Sequence, residues 1–342
     1  MGLREMAKRT MASIAESTGV TVISTKTRDK ILESAPWLAS YFLLKEKTKR
    51  PPGGLETFAG DYLRYDNPVL KDLRQRYEGH PANDHIQWDS SSVEEVVDLP
   101  FFRADNLYVF QSRRYPPLVL YATSAYVAQV DGLGLLEVLE EDGQFGAEVF
   151  DFHGKVVSRD LLDSIIEMNF LDRHLGISSG RPVRVLDIGA GYGRLAHRMV
   201  TAFENVATYY CVDAVPESTF ISDYYLKFRG MTERCAVVPL DQFENIKTAD
   251  LAINVHSFAE CRIRVIEWWL QKLQELQIPW LFIATHPTLG LTSREERGRK
   301  NFRPIIEGAG YTLTANERKF ECAPLLQENG LYPAEYFLFR RT

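Results

Sequence analysis

The chain has 342 residues, 45 % hydrophobic and 25 % charged, with a formal net charge of −6. That length suits one large or two modest domains, and the balance is that of an ordinary globular protein. The mild negative charge and the lack of a dense basic stripe argue against a nucleic-acid partner.

The N-terminus carries Arg4, Lys8 and Arg9 with no apolar run behind them, so no signal peptide is expected. The most apolar early stretch, 35–44, contains Pro36 and is too short to span a bilayer. Residues 1 to about 48 read as two helical pieces, and 45–54 as a charged, then Pro/Gly-rich linker. A broken helix is expected over 58–77, with Asn67 as cap and Pro68 in the first turn. Polar turns are expected through 78–105 around Val93 and Val97. Residues 107–127 are rich in Tyr, Val and Leu, and strand and helix both stay open around Pro116 and Pro117. Ser158 predicts the start of a helix running to His174, with Leu161, Leu162, Ile165, Ile166, Phe170 and Leu171 as its apolar face and Gly176 as its stop.

From residue 183 strands and helices alternate, which implies a parallel sheet. Strands are expected at 183–188, 208–213, 235–239, 250–255 and 280–285. Helices are expected at 192–203, 216–229, 262–275 and 293–308, the last with a Ser293/Glu296 capping box. Two closing strands are expected at 311–320 and 334–341. Four cysteines (Cys211, Cys235, Cys261, Cys322) lack metal or C-x-x-C spacing. Reduced thiols are therefore expected, as in a cytoplasmic protein.

The most informative run is Val185-Leu-Asp-Ile-Gly-Ala-Gly-Tyr-Gly193. It reads as a buried strand, a glycine turn and a helix start. A dinucleotide fingerprint needs G-x-G-x-x-G, but position 194 is Arg, which disfavours NAD. With Asp187 ahead of the glycines, the loop resembles motif I of the class I S-adenosylmethionine (SAM) methyltransferases. Asp213 lies 20 residues after Gly193, at the end of the next strand. A carboxylate there can accept both ribose hydroxyls.

The resemblance implies a cofactor site of Asp187, Gly189, Ala190, Gly191, Tyr192, Gly193, Asp213 and Ala214. It adds Asp241 and Gln242 after the third strand for the adenine amino group, and Asn254 at the end of the fourth. Beside Asn254 no Pro-Pro-aromatic motif follows, which counts against amide or base nitrogen as the acceptor. His256 is a candidate base for a hydroxyl proton, with Glu260 orienting it or helping a metal, and His286 a second candidate. A divalent ion on these three would acidify a hydroxyl, but no paired-Asp signature supports one, so no metal is predicted.

The strings Leu186-Asp-Ile-Gly-Ala-Gly-Tyr-Gly-Arg-Leu-Ala196, Tyr209-Tyr-Cys-Val-Asp-Ala-Val-Pro216, Asp223-Tyr-Tyr-Leu226 and Ile253-Asn-Val-His-Ser-Phe-Ala-Glu260 together resemble the bacterial sugar O-methyltransferase family. The likeness spans roughly 60–342 and is strongest in 183–260. It implies an α/β fold: a class I SAM-methyltransferase, Rossmann-like, seven-stranded sheet with one antiparallel strand. A mainly helical cap (1–157) would precede the catalytic domain (158–342). The implied activity is methyl transfer from SAM to a hydroxyl, with S-adenosylhomocysteine as product. The acceptor would be a sugar of a natural product or polysaccharide, that is, a small-molecule or glycosylated substrate. Trp88, Tyr121 and Tyr126 are candidate stacking surfaces for a sugar ring. A non-sugar acceptor and a non-catalytic SAM-binding subunit are the alternatives, and a homo-oligomer is compatible with the sequence.

Overall fold

The computed structural model describes residues 57–84, 88–104, 106, 108–109 and 115–342. The helical pieces and linker expected before residue 55 lie outside the described residues. Among the described residues five α-helices come first: α1 (Thr57–Tyr62), α2 (Pro68–Tyr77), α3 (Ser90–Val96), α4 (Pro117–Val130) and α5 (Leu135–Val138). The short antiparallel strands β1 (Phe150–Phe152) and β2 (Lys155–Val157) follow. The break before Pro68 is as expected: Asn67 Oδ1 accepts from the Val69 amide at 2.9 Å. Helix α3 replaces the turns expected around Val93. Asp89 and Ser92 cap it reciprocally, a box closed by serine where Glu or Gln usually stands.

The main sheet begins after α6 (Arg159–Leu175), capped by Ser158 and ended by Gly176 in the left-handed region. Then come β3 (Val183–Ile188), α7 (Arg194–Ala202), β4 (Val206–Val212), α8 (Pro216–Phe228), β5 (Cys235–Val237), β6 (Leu251–Val255), α9 (Ile263–Glu275), β7 (Trp280–Thr285), α10 (Arg303–Gly308), β8 (Tyr311–Arg318), α11 (Pro324–Asn329) and β9 (Glu335–Arg341). The seven strands lie in the order β5-β4-β3-β6-β7-β9-β8. Only β9 runs antiparallel, between β7 and β8. This is the seven-stranded sheet with one antiparallel strand that the resemblance implies. The chain winds outward from β3 to β5, then crosses back to β6 on the other side of β3. That reversal opens a crevice at the carboxyl ends of β3 and β6, where open α/β sheets take their ligands.

The helix expected over 293–308 is shorter than anticipated. Residues 294–300 (Arg-Glu-Glu-Arg-Gly-Arg-Lys) offer no apolar face to bury, and Gly298 sits at φ +80°. Thr292 and Asn301 instead form an antiparallel bridge, and the helix starts at Arg303. Ser293 Oγ donates to Glu295, while Glu296 pairs with Arg262, so no capping box forms.

The N-terminal helices share a continuous apolar core with the sheet. Helix α2 lies on α8: Arg74 Nε donates to Glu217 at 2.6 Å, and the Tyr77 and Thr219 hydroxyls bond at 2.9 Å. Deeper, buried Glu141 Oε2 accepts from Arg103 (2.8 Å), Arg198 (2.9 Å) and Ser158 Oγ (2.6 Å), which in turn caps α6. Burial alone would raise this carboxyl, but the two guanidiniums hold it well below the usual range. Glu141→Gln leaves both arginines buried against a neutral group. We expect about 3 kcal/mol of lost stability, read as a lower urea midpoint with unchanged slope.

Candidate active site

The crevice holds a cavity of about 200 Å³. Its floor is the turn after β3. Gly189 has φ +75°, and a Cβ there would stand 2.2 Å from Ser257 Oγ and 2.5 Å from Ser257 Cβ. Only glycine lets the two crossover strands approach this closely. Asn254 locks the approach: its Nδ2 donates to Ile188 O (2.9 Å) and Ser257 Oγ (2.6 Å), and its Oδ1 accepts from Phe258 N (3.0 Å). Asn254 is fully buried beneath the cavity wall and acts as a brace. Gly191, at φ +58°, leaves open space where a side chain would project.

Asp213 Oδ2 accepts from the Gly191 amide (2.9 Å) and Oδ1 from the Val215 amide (2.8 Å). The end of β4 thus holds the loop that follows β3. Burial pushes Asp213 up to about 6 against these amide bonds. Asp187 is buried and accepts from Tyr209 Oη at 2.8 Å. Burial pushes it up to about 7. Asp187, Gly189, Ala190, Gly191, Tyr192, Asp213 and Ala214 all line the cavity. Gly193 instead caps α7, its missing Cβ facing Ser222 and Leu226. The Tyr192 ring turns into the cap against Phe102 and Tyr225, and its hydroxyl donates to Asp160.

The structure does not bring Asp241 and Gln242 to the cavity. Both are exposed beyond its edge. Arg76 of α2 takes Asp241 in a two-pronged ion pair at 2.8 and 3.0 Å. A sequence reading sees a carboxylate after a strand, but not the guanidinium that a helix 165 positions earlier delivers to it.

His256 and Glu260 do line the cavity. His256 sits at φ +67°, rare for a residue with a side chain, and its ring meets Tyr332 edge-on at 4.9 Å. Burial, then the nearby Arg159, lowers it to about 3, so its ring is neutral. Glu260 ends the turn after β6. Burial pushes it up to about 7 against a hydrogen bond from the Trp88 indole. His286 lies outside the cavity, half-buried, with Nδ1 on Thr288 Oγ1 at 2.8 Å. Trp88 lines the cavity beside Tyr108. Tyr121 and Tyr126 do not: the first bonds His153, the second packs on Phe320. Among the described residues no group of three or more His, Cys, Asp or Glu is placed to hold a metal. Nor is any described helix long and apolar enough to cross a membrane.

The sequence reading missed the charged wall opposite. Asp160, Asp163, Ser164 and Glu167 recur at one helical stripe of α6, all buried. Around them three buried cations (Arg103, Arg198, Lys319) and two partly buried ones (Arg159, Arg194) meet four buried carboxylates (Glu141, Asp160, Asp163, Glu167). Polar residues at i, i+3, i+4 and i+7 of an otherwise apolar helix were the available signal.

No protein-family model matches the sequence, and no curated protein matches it significantly. Among solved structures it is similar to magnesium protoporphyrin IX methyltransferase (ChlM) from Synechocystis PCC 6803 with bound SAM. Identity there is 14 %, over 66 % of this chain and 96 % of that one, with a TM-score of 0.40. It is also similar to a SAM-dependent methyltransferase from Clostridium acetobutylicum ATCC 824. Identity is 9 %, over 52 % of this chain and 89 % of that one, with a TM-score of 0.35.

Two outcomes test this geometry. Gly189→Ala should lower the melting temperature sharply, because both the positive φ and Ser257 oppose a methyl group. Asp187→Asn should match wild type at about pH 4 and below, and become progressively the more stable of the two up to about pH 7. A raised carboxyl stabilises below its unfolded value and is lost as pH climbs through about 7. Urea midpoints across that range read the divergence.

Proposed function

We propose that this protein is a SAM-dependent O-methyltransferase. The observation that carries the reading is the convergence of Asp187, the glycine turn and Asp213 on one cavity at the crossover of the sheet. The open space at Gly191 fits a ligand drawn across the loop, and two buried carboxyls with raised pKa values fit cationic or hydroxyl partners. Asp213 retains acceptor capacity for ribose hydroxyls beyond its amide bonds. Asp187 would face the amino-acid half of the cofactor. When bound, SAM supplies an electrophilic methyl on a sulfonium.

The chain's own residues would hold the acceptor oxygen in line and remove its proton. Of the two candidate bases in the cavity, Glu260 suits that task better. Its pKa of about 7 matches the working range, whereas His256 at about 3 is too weak a base for a hydroxyl. His256 then serves as a neutral wall and hydrogen-bonding group. A sugar hydroxyl is the acceptor we favour, supported by the Asn-x-His-Ser-Phe run and by the Trp88 and Tyr108 rings at the cavity.

Calorimetric titration tests the cofactor first. S-adenosylhomocysteine should bind saturably and NAD should not, with Asp213→Ala weakening the first about 10- to 100-fold. Binding of NAD alone would sink the proposal. With a sugar acceptor in hand, kcat/KM should rise through about pH 7 and then level. Glu260→Gln should cut it at least about 100-fold and flatten the profile. A flat profile in His256→Gln instead would move the base to that ring.

A further inference from the structure

Between β7 and α10 the Thr292–Asn301 bridge closes a hairpin whose residues 294–300 carry four cations (Arg294, Arg297, Arg299, Lys300) against two acids. The hairpin is bolted to the turn after β6. The Arg294 amide donates to Cys261 O (2.8 Å), Arg299 Nη1 to Ala259 O (2.8 Å), and the Ile263 amide to Glu295 (2.9 Å). That same turn presents Glu260 and Cys261 to the cavity. Both acids of the hairpin are engaged, Glu295 with Ser293 and Ile263, Glu296 with Arg262. Asp84 takes Arg262 and Arg264. Arg297, Arg299 and Lys300 are exposed, and among the described residues none of them forms an ion pair. Burial holds the Glu260 carboxyl high, while Arg294 and Arg299 pull it down, so their field reaches the candidate base. A chain of net charge −6 thus keeps a local positive excess beside one end of its cavity.

We propose that this hairpin is a phosphate-binding rim of the acceptor site, and that the acceptor is a sugar carrying a phosphate or diphosphate ester. The proposal rests on the methyltransferase reading, which brings the sugar ring to Glu260 and Trp88. An arginine fork and a lysine point charge both suit phosphate oxygens. Because the cations are exposed, the contact is sensitive to salt. The ester orients the ring and takes no part in the transfer. A sugar monophosphate and a nucleoside diphosphate sugar share this chemistry.

The test titrates the complex with S-adenosylhomocysteine at low ionic strength with glucose 1-phosphate, UDP-glucose and the uncharged methyl glucoside. The phosphorylated sugars should bind at least about 10-fold tighter than methyl glucoside, and lose that advantage in the double variant Arg299→Gln, Lys300→Gln. Binding of both marks a monophosphate as sufficient, and binding of UDP-glucose alone marks a diphosphate. S-adenosylhomocysteine should hold within about threefold in the variant, which also shows that it is folded. Should losing the Arg299–Ala259 bond unfold the hairpin, the pair Arg297→Gln, Lys300→Gln leaves that bond in place and should still lose part of the advantage. Trp88→Ala should weaken the phosphorylated sugars and leave inorganic phosphate unchanged, because only the ring reaches the cavity. No advantage over methyl glucoside, an advantage that survives these charge removals, or indifference to Trp88→Ala overturns the rim. Failure of wild type to bind S-adenosylhomocysteine overturns the methyltransferase reading instead.

Discussion

The contact between the turn after β3 and the turn after β6 is the constraint on which the rest of the site depends. Strands that wind away in opposite directions leave a crevice only if their ends stay close at its base. Here closeness is enforced by a missing side chain at Gly189 and by Asn254, which bonds Ile188 O, Ser257 and Phe258. The floor is therefore rigid, and the groups projecting from it inherit fixed directions. His256 is one: its left-handed backbone follows from β6 ending in this tight turn, with its amide still bonded to Ala284 O at 2.8 Å.

A second layer of order comes from the cap. Tyr192 sits inside the glycine loop, yet its ring belongs to the cluster of Phe102 and Tyr225, and its hydroxyl to Asp160. Arg103 and Glu141 extend that cluster to the N-cap of α6. The loop is thus gripped from above by residues far from it in sequence. The low dielectric that results explains why three carboxyls of one cavity, Asp187, Asp213 and Glu260, all titrate above their ordinary range.

What was legible in the sequence were features with local causes. The strand-turn-helix at 183–194 follows from glycine spacing, Asn67-Pro68 from capping chemistry, and α6 from its apolar period. The strand alternation gave the parallel sheet, and resemblance supplied the antiparallel strand. What could not be read were pairings made across the fold. Asp241 looks like a site residue until Arg76 claims it. The acidic stripe of α6 looks solvent-facing until Arg194 and Lys319 arrive. Residues 293–302 carry good capping letters, but without an apolar face no tertiary packing supports a helix there.

The placing of β9 has a consequence for how the protein is made. It follows every other strand in chain order, yet sits inside the sheet, hydrogen-bonded on both sides. During synthesis β7 must wait with an open edge, and β8 has no neighbour at all, until β9 emerges from the ribosome. The apolar residues of β7 are therefore those most in need of shelter in the nascent chain. The floor of the crevice, built on β3 to β6, can form earlier, but its Tyr332 wall comes from the segment between β8 and β9, so the cavity is completed only with the sheet.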